Sequence, residues 1–238
     1  MVWFKIFGVA QFMVNRLIAF NIRRILRSKN QVAALDRDYC NWSNYVLKTF
    51  NVDLKVTGRE NIPVGGSRKW VMMSNHQSQL DIPCIVATMN RRVGFVAKRE
   101  LGNIPVLSYF MHQVGCIFID RSDRRGAHLA LEKAAKEMGE NPIMIFPEGT
   151  RSKDAILLPI KQGGCRLAQL ADALILPIKI EGTRNAGENR KKNSILPFPV
   201  ELKIFPVLET RGLEEGKAGF NKIKDYIEQC WNSPSAHN

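Results

Sequence analysis

Apolar runs too short for helices recur along most of the chain, at residues 52–57, 70–74, 93–97, 116–120, 143–146, 174–180 and 200–205. They are rich in Val, Ile and Phe and are bounded by turn-forming residues, which predicts β-strands. Between several of them the apolar spacing becomes helical. Residues 126–138 place Ala127, Leu131, Ala134 and Met138 on one face and offer Gly139 as a C-cap. Residues 164–173 and 220–231 also read as helices. Strands alternating with helices predict an α/β fold with a mixed, partly parallel central sheet flanked by helices. The polar stretch 186–193 reads as a mobile surface loop and 233–238 as a frayed end. No internal repeat stands out.

The first 50 residues have a different texture. Residues 31–50 read as a helix with Ala33, Leu35, Tyr39, Trp42, Tyr45, Val46 and Phe50 as its apolar positions. With residues 2–28 they form an expected N-terminal helical hairpin. In that first arm Lys5, Asn15, Arg16, Arg23 and Arg27 fall within about one third of the helix circumference, and Trp3, Phe7, Met13, Val14, Leu17 and Ile25 lie largely opposite. Gln11, Asn21 and Arg24 break the pattern. No apolar run reaches the roughly 18 to 20 residues needed to span a bilayer. A basic amphipathic helix with aromatic residues suits the surface of anionic lipid. It also fits a core helix with a solvated basic face. The Arg23-Arg24 pair after the apolar part, with no small-residue cleavage site, argues against a signal peptide.

Composition narrows the classes. Apolar residues make up 45% of the 238 and charged residues 24%, enough to fill a core and too apolar for a disordered chain. The net charge of +13 points to an anionic partner, whether nucleic acid, lipid or phosphorylated substrate. No RNP motif, zinc-finger spacing or helix-turn-helix signal supports a specific nucleic-acid binder. The five cysteines are odd in number and contain no CxxC pair, which argues against a disulfide framework or a zinc site. Cys84, Cys116 and Cys165 sit among apolar residues and read as buried thiols, in keeping with a reducing cytoplasm.

Four short blocks carry candidate chemistry, most of them where an apolar strand ends and ligands of α/β sheets bind. Ser74-Asn75-His76-Gln77-Ser78-Gln79-Leu80-Asp81 follows the second run. His76 and Asp81 are about 140° apart on a straight helix, but meet if His76 lies in the turn and Asp81 in the first helical turn, with Ser78 as N-cap. A carboxylate on one imidazole nitrogen leaves the other free to take a proton. Alone, the pair fits a structural histidine with a capping aspartate better. Gly115-Cys116-Ile117-Phe118-Ile119-Asp120-Arg121 ends in a guanidinium able to hold phosphate, or in an Asp–Arg surface pair. Phe146-Pro147-Glu148-Gly149-Thr150-Arg151-Ser152 is a turn that displays Glu148, Thr150 and Arg151. Leu176-Pro177-Ile178 puts a proline into a strand, which predicts a sheet edge or a bulge.

In this order and with these gaps, the four blocks resemble those of the glycerolipid acyltransferase family with its HX4D motif. Asn75-His76-Gln77-Ser78 with Asp81, and the block from Phe146 to Ser152, are most similar to its 1-acylglycerol-3-phosphate acyltransferase branch. The resemblance implies acyl transfer from acyl-CoA or acyl carrier protein to the sn-2 hydroxyl of lysophosphatidic acid, giving phosphatidic acid, without cofactor or metal. It implies that His76 is the base and Asp81 its orienting partner, and that Arg121, Glu148, Gly149, Thr150 and Arg151 hold the glycerol phosphate. Lys98 is similar to a further phosphate-binding residue of some relatives, and Pro177 is placed on the acyl-donor side. Where relatives often carry an aromatic residue before a lysine, this chain has Ile160-Lys161.

The expected mechanism is direct transfer, with the oxyanion held by amides near Gly149; a covalent variant would use Ser78 or Cys84. The expected domains are 1–50, helices for membrane-interface binding, and 51–238, the catalytic unit. The expected place is the cytoplasmic face of the cell membrane, bound peripherally to anionic phospholipid. Competing readings are another lysophospholipid or glycerol-3-phosphate acyltransferase, an inactive membrane-binding protein, and a nucleic-acid binder.

Overall fold

The computed structural model describes residues 31–64, 68–152, 156–189, 196–214 and 216–234. The first arm of the expected hairpin, residues 2–28, lies outside the described residues. Its second arm is the helix α1 (Gln31–Thr49). There follow β1 (Val52–Thr57), β2 (Trp70–Ser74), α2 (Asp81–Met89), β3 (Gly94–Lys98), α3 (Pro105–Gln113), β4 (Ile117–Ile119), α4 (Arg124–Glu137) and β5 (Ile143–Ile145). The chain continues with α5 (Gln162–Leu170), β6 (Leu174–Glu181), the short α6 (Thr183–Ala186), β7 (Phe198–Ile204), β8 (Leu208–Glu209) and α7 (Lys217–Asn232).

The strands form one mixed sheet in the order β1-β7-β6-β2-β5-β3-β4, with β8 paired to β6. β6, β2, β5, β3 and β4 are all parallel, and β7 runs antiparallel to β6. The expected mixed, mostly parallel α/β sheet is therefore present. Strand β2 is buried along its whole length, as a central strand covered on both faces must be. Its side chains alternate between two cores. Trp70 and Met72 join Leu176, Ile178 and Leu202 on one face, beneath α1 and α2. Val71 and Met73 join Ile143, Ile145 and Ile175 on the other, beneath α4, α5 and α7. Val46 and Leu47 of α1 belong to the first core, so the described part of residues 1–50 packs into the α/β unit itself.

Two local expectations are corrected and one is met in part. Pro177 is not at an edge, because β6 lies between β2 and β7, but it does lie at a bulge: the pairing shifts by one residue between Ile178↔Ile204 and Ile175↔Leu208. Its carbonyl accepts from the Phe205 amide at 3.0 Å, just past the end of β7. The missing N–H falls where β7 hands over to β8, so no ladder bond is lost. Gly139 is not the cap of α4; the helix ends at Met138 with an extended backbone. The helix start expected at Ser78 comes later, at Asp81, with Leu80 as N-cap. Ser78 Oγ nevertheless accepts from the Leu80 amide at 3.1 Å, so its hydroxyl does hold the turn that leads into α2.

Candidate functional site

Five parallel strands end on the same side of the sheet, and the candidate residues follow them. His76 lies just past β2, Lys98 ends β3, Arg121 follows β4, and Glu148 to Arg151 follow β5. The β2–α2 loop is held by Asn75, whose side chain accepts from the Ile180 amide and donates to the Ile180 carbonyl, both at 2.8 Å. That double bond ties the loop to β6 and sets the direction in which His76 leaves the sheet.

His76 and Asp81 do meet. Nδ1 of His76 lies 2.7 Å from Oδ2 of Asp81. Asp81 is fully buried, so its charge must be met by donors. Oδ2 also accepts from the amides of Gln77 at 2.8 Å and Ser78 at 3.0 Å, and Oδ1 accepts from the Thr183 hydroxyl at 2.5 Å. A carboxylate so surrounded is an acceptor only, which assigns the shared proton to Nδ1 and makes Nε2 the acceptor of the neutral ring. The imidazole stacks on Phe146 with ring centroids 3.8 Å apart and an interplanar angle of 13°. Its side chain is 17% exposed, so the ring is fixed on one side and open on the other.

The third block holds the backbone of His76. Glu148 is 2% exposed and uses both carboxylate oxygens on amides: Oε1 accepts from His76 N at 2.7 Å and Oε2 from Leu158 N at 2.9 Å. Burial pushes its carboxyl up, and the two amides pull it the other way. The Ser152 amide donates to the His76 carbonyl at 2.8 Å. Glu148 thus acts on His76 through the main chain, and its burial leaves it little surface to offer a glycerol hydroxyl. Gly149 has φ +73, and a Cβ there would be strained and would stand 2.7 Å from Lys161 Nζ, which would have to move. Its amide donates to Phe146 O at 3.0 Å within the turn and is not available to an oxyanion.

Cations gather around this frame. Arg121 Nη1 donates to the Gly149 carbonyl. Lys161 covers the same glycine. Arg151 Nη1 donates to Glu188 Oε1 at 2.8 Å, and Glu188 also accepts from Ser78 Oγ at 2.6 Å and Gln79 N at 3.3 Å. Burial raises Glu188, but these hydrogen bonds and the Arg151 charge outweigh it and hold its carboxyl below the usual value. Thr150 is exposed in the same turn. Lys98 is exposed and pairs with Glu100 at 2.6 Å rather than with the others. Pro177 is buried within β6.

The covalent alternatives gain no support from this geometry. The Ser78 hydroxyl donates to Glu188, and burial followed by the Asp81 charge pushes the Cys84 thiol far up. Burial also raises Cys116 and Cys165 to about 12. Thiols in that state are protonated and inert at neutral pH. Among the described residues no group of three or more His, Cys, Asp or Glu side chains could hold a metal, and no helix is long and apolar enough to cross a membrane.

Thr183, Arg184, Ser152, Glu188 and Phe146 belong to the site, although the motif blocks gave none of them a role. One signal was present. The tetrapeptide Glu-Gly-Thr-Arg occurs twice, at 148–151 and 181–184, each time at the end of an apolar strand.

Comparison with known proteins identifies the family. A family model described as Acyltransferase matches residues 53–181, over half of the chain and every motif block. The 1-acyl-sn-glycerol-3-phosphate acyltransferase of Saccharomyces cerevisiae is 35% identical over 190 residues, covering 77% of this chain and 61% of that protein. The Helicobacter pylori protein of the same name is 39% identical over 101 residues, covering 42% of this chain and 43% of that protein. The chain therefore spans less than two thirds of these relatives. The crystal structure of the 1-acyl-sn-glycerophosphate (LPA) acyltransferase PlsC from Thermotoga maritima shares the fold, with a TM-score of 0.68 at 23% identity over 97% of this chain and 99% of that one. With its paired histidine and aspartate inside the matched region, the chain belongs to the acyltransferase family.

Proposed function

We propose that this chain transfers a fatty acyl group from an acyl thioester to the free sn-2 hydroxyl of lysophosphatidic acid, giving phosphatidic acid. The observation that carries the reading is the His76–Asp81 pair, 2.7 Å apart at a strand end ringed by Arg121, Lys161 and Arg151. The names of the relatives point to the same acceptor.

Nε2 of His76 takes the proton of the hydroxyl as its oxygen attacks the thioester carbonyl. Asp81 offsets the imidazolium that forms. The tetrahedral oxyanion collapses, the C–S bond breaks, and the thiolate takes the proton from Nε2. Thiols have a pKa near 8.5, so this leaving group needs little acid assistance. The cations hold the acceptor's phosphate, and Arg151 exchanges Glu188 for it. Either coenzyme A or acyl carrier protein carries the acyl group.

The test is thiol release from both donors, with and without lysophosphatidic acid, and chromatography of the product. Acceptor-dependent release with phosphatidic acid formed is the expected result. Release without acceptor would make the protein a thioester hydrolase, and preference for another lysophospholipid in competition would move the acceptor. Arg151→Ala is expected to raise the KM for lysophosphatidic acid by roughly 10- to 100-fold with kcat little changed, the cost of one charge-assisted contact made equally in ground and transition states.

The chain works at the cytoplasmic face of the membrane in this reading, anchored peripherally through residues 1–28. Each basic residue near an anionic surface adds about 1 kcal/mol, and the segment to residue 30 has six of them and no acid. Deleting residues 1–28 is expected to abolish flotation with anionic vesicles. Undiminished flotation of the shortened protein would remove the anchor from the proposal.

A further inference from the structure

The two Glu-Gly-Thr-Arg turns flank the strand that carries His76. The first follows β5 and the second completes β6, and both strands pair in parallel with β2. Each turn has its glycine in the left-handed region, φ +73 at Gly149 and φ +89 at Gly182. The side chains beside those glycines have different tasks. In the first turn Glu148 holds the His76 amide and Thr150 is exposed. In the second, Thr183 is fully buried and donates to Asp81 Oδ1 at 2.5 Å. Arg184 donates to the Ser152 carbonyl at 3.1 Å, and Ser152 in turn holds the His76 carbonyl.

The geometry points to Thr183 as a positioning residue for the reaction: its hydroxyl fixes the rotation of the Asp81 carboxylate, and through it the tautomer and plane of His76. The inference rests on the acyl-transfer reading of the dyad given above. Oδ2 of Asp81 has three other donors, His76 and the Gln77 and Ser78 amides, whereas Thr183 is the hydrogen-bond donor found at Oδ1. A carboxylate bonded at one oxygen only can turn about its Cβ–Cγ bond, and turning draws Oδ2 out of line with Nδ1. A buried oxygen deprived of its donor has reason to turn, since it will seek one of the donors that serve Oδ2. Thr183 thus acts on the reacting hydroxyl through two other groups and touches neither substrate.

The test compares Thr183→Val, which swaps the hydroxyl for a methyl of similar shape, with Thr183→Ser, which keeps it. Thr183→Val is expected to lower kcat by roughly 10- to 100-fold, the worth of one hydrogen bond to a charged group, and to leave the KM for lysophosphatidic acid unchanged. Thr183→Ser is expected to stay within about threefold of the starting protein, well inside what one such bond is worth. A second readout needs no substrate. Nitrogen NMR of histidine-labelled protein reports the tautomer of each of the four histidines, with His76 identified by its absence in His76→Ala. The full chain is expected to hold His76 as the Nδ1–H tautomer alone, and Thr183→Val to show a mixture. Should Thr183→Val fail to fold, Thr183→Ala replaces it with the same expected results. An unchanged kcat, an unchanged tautomer, a loss confined to KM, or an equal loss in Thr183→Ser would each overturn the assignment. If the starting protein transfers no acyl group with either donor, the acyl-transfer reading fails, and the tautomer measurement still decides whether Thr183 orients the pair.

Discussion

His76→Ala is expected to lower acceptor-dependent thiol release by about 10²- to 10⁴-fold, the usual contribution of a positioned general base. The fold is expected to survive, for a reason visible at Asp81. Removing the imidazole takes away one of four hydrogen bonds to that buried carboxylate and leaves the Gln77 amide, the Ser78 amide and the Thr183 hydroxyl in place. The charge stays satisfied, so the large penalty of a stranded buried ion does not arise. The stack on Phe146 is lost, but the ring it covers also faces Phe95, with centroids 6.3 Å apart. The loop keeps its course because Glu148 and Ser152 grip the His76 main chain, which alanine shares. Thermal unfolding and thiol release measured on the same preparation check both halves. A loss of activity under tenfold would remove His76 from the role of base, and a loss accompanied by collapse of the unfolding temperature would make it structural.

The parts of this site that were legible in the sequence are those fixed by short-range pattern. A buried central strand must be an unbroken apolar run, and the residues just past it must be polar, so the strand ends and the chemistry on them could be read together. His76 and Asp81 were expected to meet only if a turn separated them, and the tight loop from Gln77 to Leu80 is that turn. What the sequence hid depends on pairing between distant segments. Thr183 reaches Asp81 across 102 positions and Glu188 reaches Ser78 across 110, and both lie in or beside a stretch whose polarity alone suggested a mobile loop. Pro177 was expected at an edge or a bulge because proline brings no donor, and the register shift between β7 and β8 makes that bulge within a central strand. The helix α3 is hard to read because nine residues hold too few turns for an apolar period to stand out, although Pro105 at its first turn marks its start. Glu148 was expected to meet substrate by residue type; its burial between two amides made it part of the frame.

Asp81→Asn separates charge from geometry in this frame, and is expected to lower kcat by about 10²- to 10³-fold with little loss of stability. The outcome depends on where the new amide points. With its oxygen in place of Oδ2 it still accepts from Gln77 and Ser78, and its NH2 faces Thr183, whose hydroxyl oxygen can accept. The opposite orientation sets NH2 against two amide N–H groups, at about 1–3 kcal/mol for each donor left unmet, so the first is adopted. His76 then keeps its partner and its tautomer. That differs from a triad in which the asparagine forces the wrong tautomer and the loss is on the order of 10⁴. What Asp81→Asn removes is the negative charge that offsets the imidazolium, at a site buried enough for the charge to count. Asp81→Ala is the contrast, because it strands the Gln77 and Ser78 amides and the Thr183 hydroxyl and is expected to cost stability as well as activity. The measurement is kcat and unfolding temperature for both variants. A fully active Asp81→Asn would mean that the carboxylate is needed only as an acceptor, and that the imidazolium is stabilised by something other than its charge.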